Sequence, residues 1–369
     1  MKAVIWNGTA AELVTDKRPP RLRPDYVLIS TVAVALNPTD TKAISQGRAA
    51  KDGLCGSDFS GVVLEVGAQV TKPFKKGDRV FGFAHGANSN EAEDGAWAEV
   101  IAAKGDCLMK MPDSGSNGNG RVDGDWGFEG AATAGASVFT SGQGLFLHMK
   151  LRLPDPMGLT VAAADTEPAK EYILVYGGSS SAGTLAIQYL TLAGYTVVAT
   201  CSPRNFELCK SRGAEAVFDY RDPDCGKKIH SYTHGQLKLI WDTIGSDDGV
   251  RICVDAMSTE PGTDKRYGTI LFNDFPRSDV KHSFSVLHRF AGEAFDKFGQ
   301  HYPASQDEFE FAKMFSSLTE TLVAQAKLQS HPVRLVPAGL KGMLDEGVSL
   351  AQNGGVSGVK IVARVADTP

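Results

Sequence analysis

The sequence lacks the features that define several large protein classes. No run approaches the roughly twenty apolar residues of a membrane span, and the N-terminus has no signal h-region. The six cysteines include no C-x-x-C pair, so neither a zinc ribbon nor a disulfide framework is indicated. The net charge is −5 without a basic block, which argues against binding to nucleic acid or to an anionic membrane. We therefore expect a cytoplasmic protein that binds small molecules or acyl carriers.

Residues suited to bind a metal are also scarce. His230 and His234 stand four residues apart, which would place two ligands on one helical face. Ser231, however, occupies the position at which an H-E-x-x-H site needs its glutamate. We interpret both histidines as surface residues and predict no metal site.

The length and composition are those of a globular protein large enough for two domains. The 369 residues are 42% hydrophobic and 22% charged, which excludes disordered and fibrous classes. Residues 1 to about 110 alternate short apolar runs with glycine and proline, which predicts a small β-barrel-like domain. The strands predicted there are Tyr26–Leu36, Val62–Val66, Arg79–Phe83 and Trp97–Ala102.

The segment that follows is less regular. Asp113–Gly127 is rich in Gly, Ser, Asn and Asp, which predicts a surface loop. Phe128–Lys150 has a helix-like pattern. Leu151–Lys170 contains three prolines and is interpreted as an irregular connection.

The most informative segment is Tyr172–Gly183, where an apolar strand breaks on glycine and serine and then enters a helix. The helical spacing ends at Gly194, and a second strand is predicted over Thr196–Thr200. Unpaired N–H groups at a helix N-terminus attract anions, and small residues let an anion approach. This βαβ unit predicts a dinucleotide pyrophosphate site, although a tight βα turn without a ligand is the alternative. The predicted cradle consists of Ser179, Ser180, Ser181 and Ala182.

The end of the second strand indicates which dinucleotide is bound. An Asp or Glu there would hold a ribose 2′-hydroxyl and favour NAD, but none is present. A cation and small polar donors follow instead, which suit a 2′-phosphate, so we predict NADP(H). The residues are Ser202, Pro203, Arg204 and Asn205, to which Tyr220 is added. Arg204 could equally be a solvated arginine at a helix start, and Tyr220 could be a packing residue.

The rest of the chain predicts a mostly parallel sheet with helices between its strands. Further strands are predicted over Ala216–Asp219, Leu237–Thr243 and Gly268–Phe272. Phe309–Leu328 is predicted as a long helix and Val359–Val365 as a strand that returns to the barrel.

Several blocks of sequence resemble the medium-chain dehydrogenase/reductase superfamily: Asn37–Lys42, Gly56–Gly67, Gly77–Val80 and the nucleotide segment above. Other blocks are more specifically similar to the fungal trans-acting enoyl reductases of polyketide biosynthesis, the lovastatin enoyl reductase among them. These blocks are Tyr176–Ser179, Ala199–Pro203, Ser211–Glu215, Val217–Arg221 and Ser357–Lys360.

The resemblance implies an α/β fold in two domains. A GroES-like β-barrel catalytic domain would comprise residues 1–135 and 329–369, and a Rossmann domain with a doubly wound parallel sheet would comprise residues 136–328. NADPH would be the hydride donor. The substrate would be an α,β-unsaturated acyl chain on the acyl carrier protein of an iterative polyketide synthase, or of a synthase–nonribosomal peptide synthetase hybrid, whose own enoyl reductase domain is inactive.

The sequence departs from the zinc-dependent members of this superfamily. Those members would place a cysteine near Asn37, a histidine near Ser57 and four clustered cysteines between residues 90 and 110. None of these is present. Because zinc needs three or four nitrogen or sulfur ligands, we expect a zinc-independent reaction.

Lys42 and Thr140 match positions at which the superfamily places polar groups beside the nicotinamide. Either could polarise a carbonyl or orient a proton source. By residue type alone, Lys42 would be a solvated lysine and Thr140 a helix-packing threonine.

The remaining predicted cofactor contacts follow from the blocks and from the order of the strands. Asn273 comes after the Gly268 strand, at the carboxyl edge of the sheet where doubly wound folds bind ligands, although it could be a loop asparagine. The other contacts are Pro38, Thr39, Asp40, Thr41, Leu271, Val356 and Ser357.

Two other functions are compatible with the sequence. One is a free-standing quinone or enoyl-CoA reductase, and the other is a non-catalytic NADPH-binding scaffold of the synthase. We expect a monomer, because Asp274 and Pro276 just past the predicted Gly268–Phe272 strand would hinder pairing at a sheet edge.

Overall fold

A computed structural model describes residues 1–47, 50–112, 126–156, 170–297 and 299–369. The predicted loop Asp113–Gly127 and the predicted connection Leu151–Lys170 lie mostly outside the described residues. The chain forms two compact units. The first unit comprises residues 1–139 and 288–369, and the second comprises residues 140–287.

The strands, in chain order, are β1 (Ala3–Trp6), β2 (Ala11–Val14), β3 (Tyr26–Ala35), β4 (Gly53–Leu54), β5 (Asp58–Val66), β6 (Arg79–Phe83), β7 (Val100–Lys104), β8 (Met109–Lys110), β9 (Tyr172–Tyr176), β10 (Thr196–Cys201), β11 (Ala216–Asp219), β12 (Leu239–Asp242), β13 (Lys265–Thr269), β14 (Val280–Phe284), β15 (Phe295–Lys297), β16 (Gln300–Tyr302), β17 (Val333–Leu335) and β18 (Lys360–Arg364).

The α-helices are α1 (Pro38–Ser45), α2 (Phe128–Ala131), α3 (Gly135–Ser141), α4 (Ser181–Leu192), α5 (Phe206–Ser211), α6 (Cys225–Tyr232), α7 (Asp247–Ala256), α8 (Gln306–Ala324), α9 (Gly339–Gly342) and α10 (Val348–Gln352). Short 3-10 helices span Gly105–Cys107, Pro203–Asn205, Leu287–Ala291 and Val365–Asp367, and π-helical turns span Gly142–His148 and Met343–Gly347.

The first unit is built around a seven-stranded sheet in the order β17-β18-β3-β5-β6-β8, with β7 also paired to β3. Two strands share one edge of β3, since β7 pairs with its first half and β18 with its last three residues. The register of β3 against β5 shifts twice, and such bulges bend a strand as barrel-like sheets require. Inward side chains, including Phe59 and Trp97, form the apolar core.

The second unit contains a six-stranded, fully parallel sheet in the order β11-β10-β9-β12-β13-β14. Numbered from β9, this is the order 3-2-1-4-5-6 of a doubly wound sheet, whose direction reverses between β9 and β12. The strands read as nearly continuous apolar runs because helices cover both faces of such sheets. The predicted α/β fold with a doubly wound parallel sheet is confirmed.

The predicted domain boundaries differ from the observed ones. The sequence prediction assigned residues up to 328 to the nucleotide domain, whereas residues 288–328 belong to the first unit. The reason is a set of polar contacts that hold α8 to that unit. Lys72 Nζ donates to Ser316 Oγ at 2.9 Å, and Ser316 Oγ donates to the carbonyl of Asp106 at 3.3 Å.

The predicted helix Phe128–Lys150 is interrupted. It is divided into α2, α3 and the π-helical turn Gly142–His148. A buried carboxylate fixes one of the new starts, because Asp58 Oδ1 accepts a hydrogen bond of 2.6 Å from the backbone N–H of Ala136. Periodicity did not reveal this side chain, which lies 78 residues away in sequence.

Asp274 and Pro276, on which the expectation of a monomer was based, do not lie at an edge of the parallel sheet. The strand predicted over Gly268–Phe272 is β13, which ends at Thr269 and pairs with β14. Asp274 and Pro276 therefore lie in the connection from β13 to β14, and β14 is the edge strand. The two residues do not protect that edge, so the oligomeric state loses this support.

No helix in the described part of the chain combines the length and the apolar character needed to cross a lipid bilayer.

Candidate functional site

The turn between β9 and α4 places two glycines where a side chain would collide with neighbouring atoms. Gly177 has a φ of +80°, and a Cβ there would lie 2.5 Å from Thr243 Oγ1. A Cβ on Gly183 would lie 2.3 Å from the carbonyl oxygen of Gly177. Only glycine at these two positions permits such a close approach of strand and helix, and the first turn of α4 therefore packs directly against the end of β9.

Hydroxyl groups hold this turn in place. Ser180 is the N-cap of α4, since its Oγ accepts from Gly183 N at 2.9 Å. The same oxygen lies 3.0 Å from Thr243 Oγ1, which donates to the carbonyl of Tyr176 at 2.9 Å. Thr200 Oγ1 accepts from Gly177 N at 3.1 Å. The hydroxyl of Ser180 is thus used within the turn.

Thr200 and Thr243 were not among the residues predicted from the sequence. They lie on the strands that flank β9, since Thr200 pairs with Tyr176 and Thr243 follows Asp242, the partner of Tyr176 on the other side. The sequence does contain a signal, a threonine at the end of each of these two strands. It can be recognised only when the strand order is known, because that order shows that both strands are neighbours of β9.

The loop after β10 lies beside this turn. Ser202 begins the 3-10 helix Pro203–Asn205, and Asn205 Nδ2 donates to Ser179 Oγ at 3.2 Å and to Ser202 Oγ at 3.3 Å. Arg204 is exposed, and no ion pair joins it to a described residue. The structure therefore brings the predicted residues of the two loops together at one corner of the sheet.

The carboxylate at the end of the neighbouring strand is already paired. Asp219 ends β11, and its Oδ2 lies 3.0 Å from Arg221 Nη2. The hydrogen bond from Arg221 lowers the pKa of Asp219 below its ordinary value. Tyr220, between them, is 43% exposed. The carboxylate next to the predicted 2′-phosphate loop thus forms an ion pair with Arg221.

A buried relay follows the ends of β12 and β13. Asp242 Oδ1 accepts from the backbone N–H groups of Ile244 and Gly245 at 2.8 and 2.9 Å, and Tyr267 donates to Oδ2 at 2.7 Å. Burial raises the pKa of Asp242 above its ordinary value. Asn273 Nδ2 donates to Tyr267 at 3.0 Å, so the amide of Asn273 is oriented by the relay.

Other groups at the carboxyl ends of β12 and β13 form fewer contacts. Asn273 Oδ1 is buried and makes no hydrogen bond to any described residue. Leu271, in the same connection, is 38% exposed. The predicted contacts Leu271 and Asn273 thus lie at the carboxyl edge of the parallel sheet, as expected from strand order, and Asn273 offers an acceptor that lacks a donor.

The predicted residues of the first unit lie on α1. Both oxygens of Asp40 are engaged inside that unit, since Asn37 N donates to Oδ2 at 2.8 Å and Ser57 Oγ donates to Oδ1 at 2.5 Å. Burial raises the pKa of Asp40 to about 6. Pro38 and Thr39 start the helix. Asp40 therefore stabilises the start of α1 as an internal hydrogen-bond acceptor.

Lys42 differs from Asp40 in its surroundings. It is exposed, and its ammonium group forms no ion pair or hydrogen bond with a described residue. By contrast, Lys360 is buried and donates to Asp58 Oδ2 and to the carbonyl of Thr133 at 3.0 Å. The cation of Lys42 is thus available to a ligand.

The remaining predicted residues lie in α3, after α10 and in α1. Thr140 is half-buried in α3 and belongs to the second unit, and its hydroxyl makes no hydrogen bond with a described residue. Val356 and Ser357 follow α10, which contacts α1 in the first unit. Thr41 Oγ1 donates to the carbonyl of Pro38 at 2.9 Å.

The positions at which zinc ligands would stand hold Asn37 and Ser57. The hydroxyl of Ser57 is bound to Asp40, and Asn37 is the N-cap residue of α1. Within the described ranges, no three histidine, cysteine, aspartate or glutamate side chains form a cluster that could hold a metal ion.

Comparison with known proteins identifies the family. The profile "Alcohol dehydrogenase GroES-like domain" matches residues 23–113, and "Zinc-binding dehydrogenase" matches residues 182–272. The chain is 40% identical over 365 residues to the trans-enoyl reductase ACTTS2 of Alternaria alternata, covering 99% of this chain and 98% of that protein. The chain belongs to the trans-enoyl reductases of the medium-chain dehydrogenase/reductase superfamily.

Other members of the family agree. The trans-enoyl reductase TOXD of Cochliobolus carbonum is 44% identical over 296 residues, which is 80% of this chain and 91% of TOXD. Among solved structures, the CurK enoyl reductase aligns with a TM-score of 0.72 at 18% identity, covering 98% of each chain. A quinone oxidoreductase of Pseudomonas syringae aligns with a TM-score of 0.68 at 20% identity, covering 98% of this chain and 99% of that one. These structures confirm the fold, including the GroES-like domain.

The second unit fits the nicotinamide dinucleotide that this superfamily uses. The N-terminus of α4 follows directly after the end of β9, and the N–H group of Ala182 in its first turn has no partner within the helix, so the helix start suits an anion. No carboxylate follows β10, where NAD-specific sites hold the ribose. The residues present therefore suit a nicotinamide dinucleotide.

Proposed function

We propose that this chain is a zinc-independent, NADPH-dependent trans-acting enoyl reductase that reduces the double bond of an α,β-unsaturated thioester. The observation that carries the proposal is the Ser180-capped glycine turn at the switch point of the sheet. It occurs in a chain that matches a trans-enoyl reductase along 99% of its length. The turn supplies the anion site, and the relatives supply the reaction class.

The preference for NADPH rests on the loop after β10. Arg204 is exposed without a partner among the described residues, and Ser202, whose hydroxyl accepts from Asn205, adds a neutral donor. A 2′-phosphate pairs with such a cation, whereas a bare ribose needs a carboxylate acceptor that the loop lacks. Asp219, at the end of the neighbouring strand β11, is already paired with Arg221.

Catalysis requires stabilisation of the negative charge that develops at the thioester carbonyl. The bound nicotinamide supplies a hydride to the β-carbon. Lys42 has an unpaired, exposed ammonium group and would donate a hydrogen bond to the carbonyl oxygen. Thr140 would orient the carbonyl or the proton source through its hydroxyl group. No metal is needed in this scheme, and the oxygen and amide groups of Ser57 and Asn37 are a poor zinc ligand set.

The proposed substrate is carried by a partner. The acyl chain would be attached to the acyl carrier protein of an iterative polyketide synthase, or of a hybrid with a nonribosomal peptide synthetase, in the cytoplasm. The support is the word "trans" in the names of the relatives, which describes an enoyl reductase that acts outside the synthase chain. The monomer stays a prediction, which light scattering on the purified protein tests.

The reaction is tested with a short enoyl thioester of pantetheine, followed by the loss of NADPH absorbance. We expect turnover with the thioester, retention of activity after dialysis against a chelator, and little turnover with a simple quinone. Preference for the quinone would favour the free-standing quinone reductase. Binding of NADPH without any hydride transfer would favour the scaffold.

The role of Lys42 is tested by Lys42→Met, with Lys76→Met as the matched control. Lys76 is also an exposed lysine of the first unit and lies outside all the predicted contacts. Loss of one charge-stabilising donor typically lowers kcat by about two to three orders of magnitude. We expect this loss in Lys42→Met alone, with NADPH affinity maintained. An equal kcat in both variants would remove Lys42 from the mechanism.

Partnership with a synthase is tested by co-expression. The synthase product should be saturated at one more position when this chain is present, and Lys42→Met should abolish the difference. An unchanged product with every candidate synthase would overturn the proposed partner but not the reductase activity measured on the free thioester.

A further inference from the structure

Two buried thiols lie in contact in the second unit. The Sγ atoms of Cys201 and Cys209 are 3.6 Å apart, and the thiol of Cys209 donates to the sulfur of Cys201. Both residues are almost fully buried, at 2% and 0% exposure. In the described part of the chain, this is the one hydrogen bond between two thiols, although six cysteines are present and none forms a disulfide.

The pair flanks the loop that the proposed function assigns to the nucleotide. Cys201 is the last residue of β10 and Cys209 belongs to α5, so the two enclose the loop that carries Ser202, Arg204 and Asn205. Cys209 also supports the glycine turn, because a Cβ on Gly178 would lie 3.2 Å from its sulfur. A change at this pair therefore acts on both loops of the corner.

We propose that Cys201 and Cys209 form a reversible disulfide when the protein meets a peroxide, and that this disulfide weakens NADPH binding. The second part rests on the proposed function. The thiolate of Cys201 attacks one peroxide oxygen, which gives a sulfenic acid and releases water after protonation. The sulfur of Cys209 then attacks the sulfenic sulfur, so the S–S bond forms and a second water leaves. Two thiols lose two electrons and two protons, and one hydrogen peroxide becomes two waters.

The geometry favours reaction between these two thiols, since their sulfurs are already in contact. A disulfide bond is about 2.05 Å long, so the sulfurs need to approach by about 1.5 Å. The hydrogen bond from Cys209 lowers the pKa of Cys201, which favours its thiolate. Access comes from α5, which spans only Phe206–Ser211 and exposes Glu207 and Lys210. A six-residue helix has little stability of its own in water, so peroxide would reach the thiols when α5 opens locally.

Closing the bond would change the phosphate corner. Asn205 lies between the two cysteines and reaches Ser179 at 3.2 Å, near the upper limit for this type of hydrogen bond. Drawing α5 toward β10 displaces the segment that holds Asn205 and Arg204. Loss of one hydrogen bond to a charged phosphate corresponds to about tenfold weaker binding.

The covalent step is tested by mass spectrometry, independently of any activity. Trypsin cleaves after Arg204 and Lys210, so the disulfide joins the peptides 171–204 and 205–210. After mild peroxide treatment we expect this linked pair, and its loss after treatment with a thiol reductant. Cys225→Ala is the matched control, because Cys225 is another buried cysteine of the same unit. It should form the bond normally.

Variants that cannot form the bond are Cys209→Ser and Cys201→Ser, with circular dichroism to check folding. The proposed disulfide would be overturned if the unsubstituted chain gave no linked peptides. It would also be overturned if peroxide oxidised Cys225 and Cys253 to the same extent as Cys201 and Cys209.

The coupling is tested by calorimetric NADPH binding to the reduced, oxidised and re-reduced protein. We expect about tenfold weaker binding after oxidation, recovery after reduction, and no response to peroxide in Cys209→Ser. A disulfide without a change in affinity would overturn the coupling. If the reduced protein does not bind NADPH at all, the proposed function and the coupling fail together, while the linked peptides still decide the disulfide.

Discussion

The amide of Asn205 donates a hydrogen bond of 3.2 Å to the hydroxyl of Ser179, and so joins the loops that follow β10 and β9. The two strands are neighbours in the sheet, with Thr200 opposite Tyr176. The amide also reaches Ser202 at 3.3 Å. The loop proposed to hold the 2′-phosphate and the turn proposed to hold the pyrophosphate are thus one connected structure.

This connection predicts the effect of Asn205→Ala. The substitution removes both hydrogen bonds, so the loop after β10 loses its attachment to the turn. A neutral hydrogen bond contributes about 1 kcal/mol, which corresponds to roughly fivefold weaker NADPH binding. Calorimetry on Asn205→Ala measures this, with Asn353→Ala in the first unit as the control. Identical affinities in both variants would show that the bond to Ser179 does not position the loop.

Arg204 is predicted to select the phosphorylated dinucleotide. Arg204→Ala removes the exposed cation while leaving Asn205 and Ser202 in place. A charge-assisted contact contributes about 1.5–3 kcal/mol, so NADPH binding should weaken by about 10- to 100-fold. NADH binding should change little, because NADH has no 2′-phosphate. The control is Arg251→Ala, which removes another exposed arginine of the same unit, on α7. A parallel loss for NADH and NADPH would contradict the proposed selectivity.

Local segments of this site could be predicted from the sequence, and distant partners could not. The strand, the glycine turn and the helix from Tyr172 onward form within one stretch of chain, so spacing alone located them. The contact of Ser180 with phosphate stays a prediction, whereas the role of its hydroxyl as the cap of α4 and partner of Thr243 was not predicted. That partner is 63 residues away and becomes a neighbour only because β12 pairs with β9.

The end of β13 shows a second limit of sequence reasoning. The apolar residues Leu271 and Phe272 extend the pattern of the strand, yet β13 ends at Thr269 and Phe272 is 79% exposed. The hydroxyl of Thr269 accepts from Leu271 N at 3.3 Å, and such local bonds compete with the strand. The end of β13 could not be predicted from the sequence, because it depends on pairing with β14, the edge strand that follows it.

Gly177 is predicted to be essential for the turn because of what surrounds it. Gly177→Ala places a Cβ 2.5 Å from Thr243 Oγ1 at a φ of +80°. Gly194→Ala is the matched control in the same unit, since its φ is +83° and no atom lies within 4 Å of the added carbon. The control should lose about 1 kcal/mol of unfolding free energy from backbone strain alone.

Gly177→Ala should lose that amount and more, because Thr243 and the carbonyls it binds must move. We expect an additional loss of about 1–3 kcal/mol, comparable to other overpacked sites, together with weaker NADPH binding. Urea unfolding followed by circular dichroism measures the first quantity. Equal stability losses in the two variants would mean that Thr243 yields without cost and that the turn is less rigid than its hydrogen bonds indicate.

Asp40 is predicted to make the stability of the protein depend on pH. Burial raises the pKa of Asp40 to about 6, although Ser57 and the backbone of Asn37 stabilise its charged form. A carboxyl group whose folded pKa lies above its unfolded pKa stabilises the fold fully below the unfolded value, near 3.8. This contribution is lost as the pH rises through about 6, because the buried group must then ionise.

Asp40→Asn removes this titration while keeping the size of the side chain. Relative to the unsubstituted protein, its unfolding free energy should rise by about 2–3 kcal/mol between pH 3.5 and pH 7, whatever its value at a single pH. Ser57→Ala removes a donor that favours the charged form, so it should shift the same transition to higher pH. Urea unfolding at a series of pH values measures both. A stability difference between Asp40→Asn and the unsubstituted protein that stays constant over this range would mean that Asp40 titrates as an ordinary carboxyl, and that its hydrogen bonds from Ser57 and Asn37 fully offset its burial.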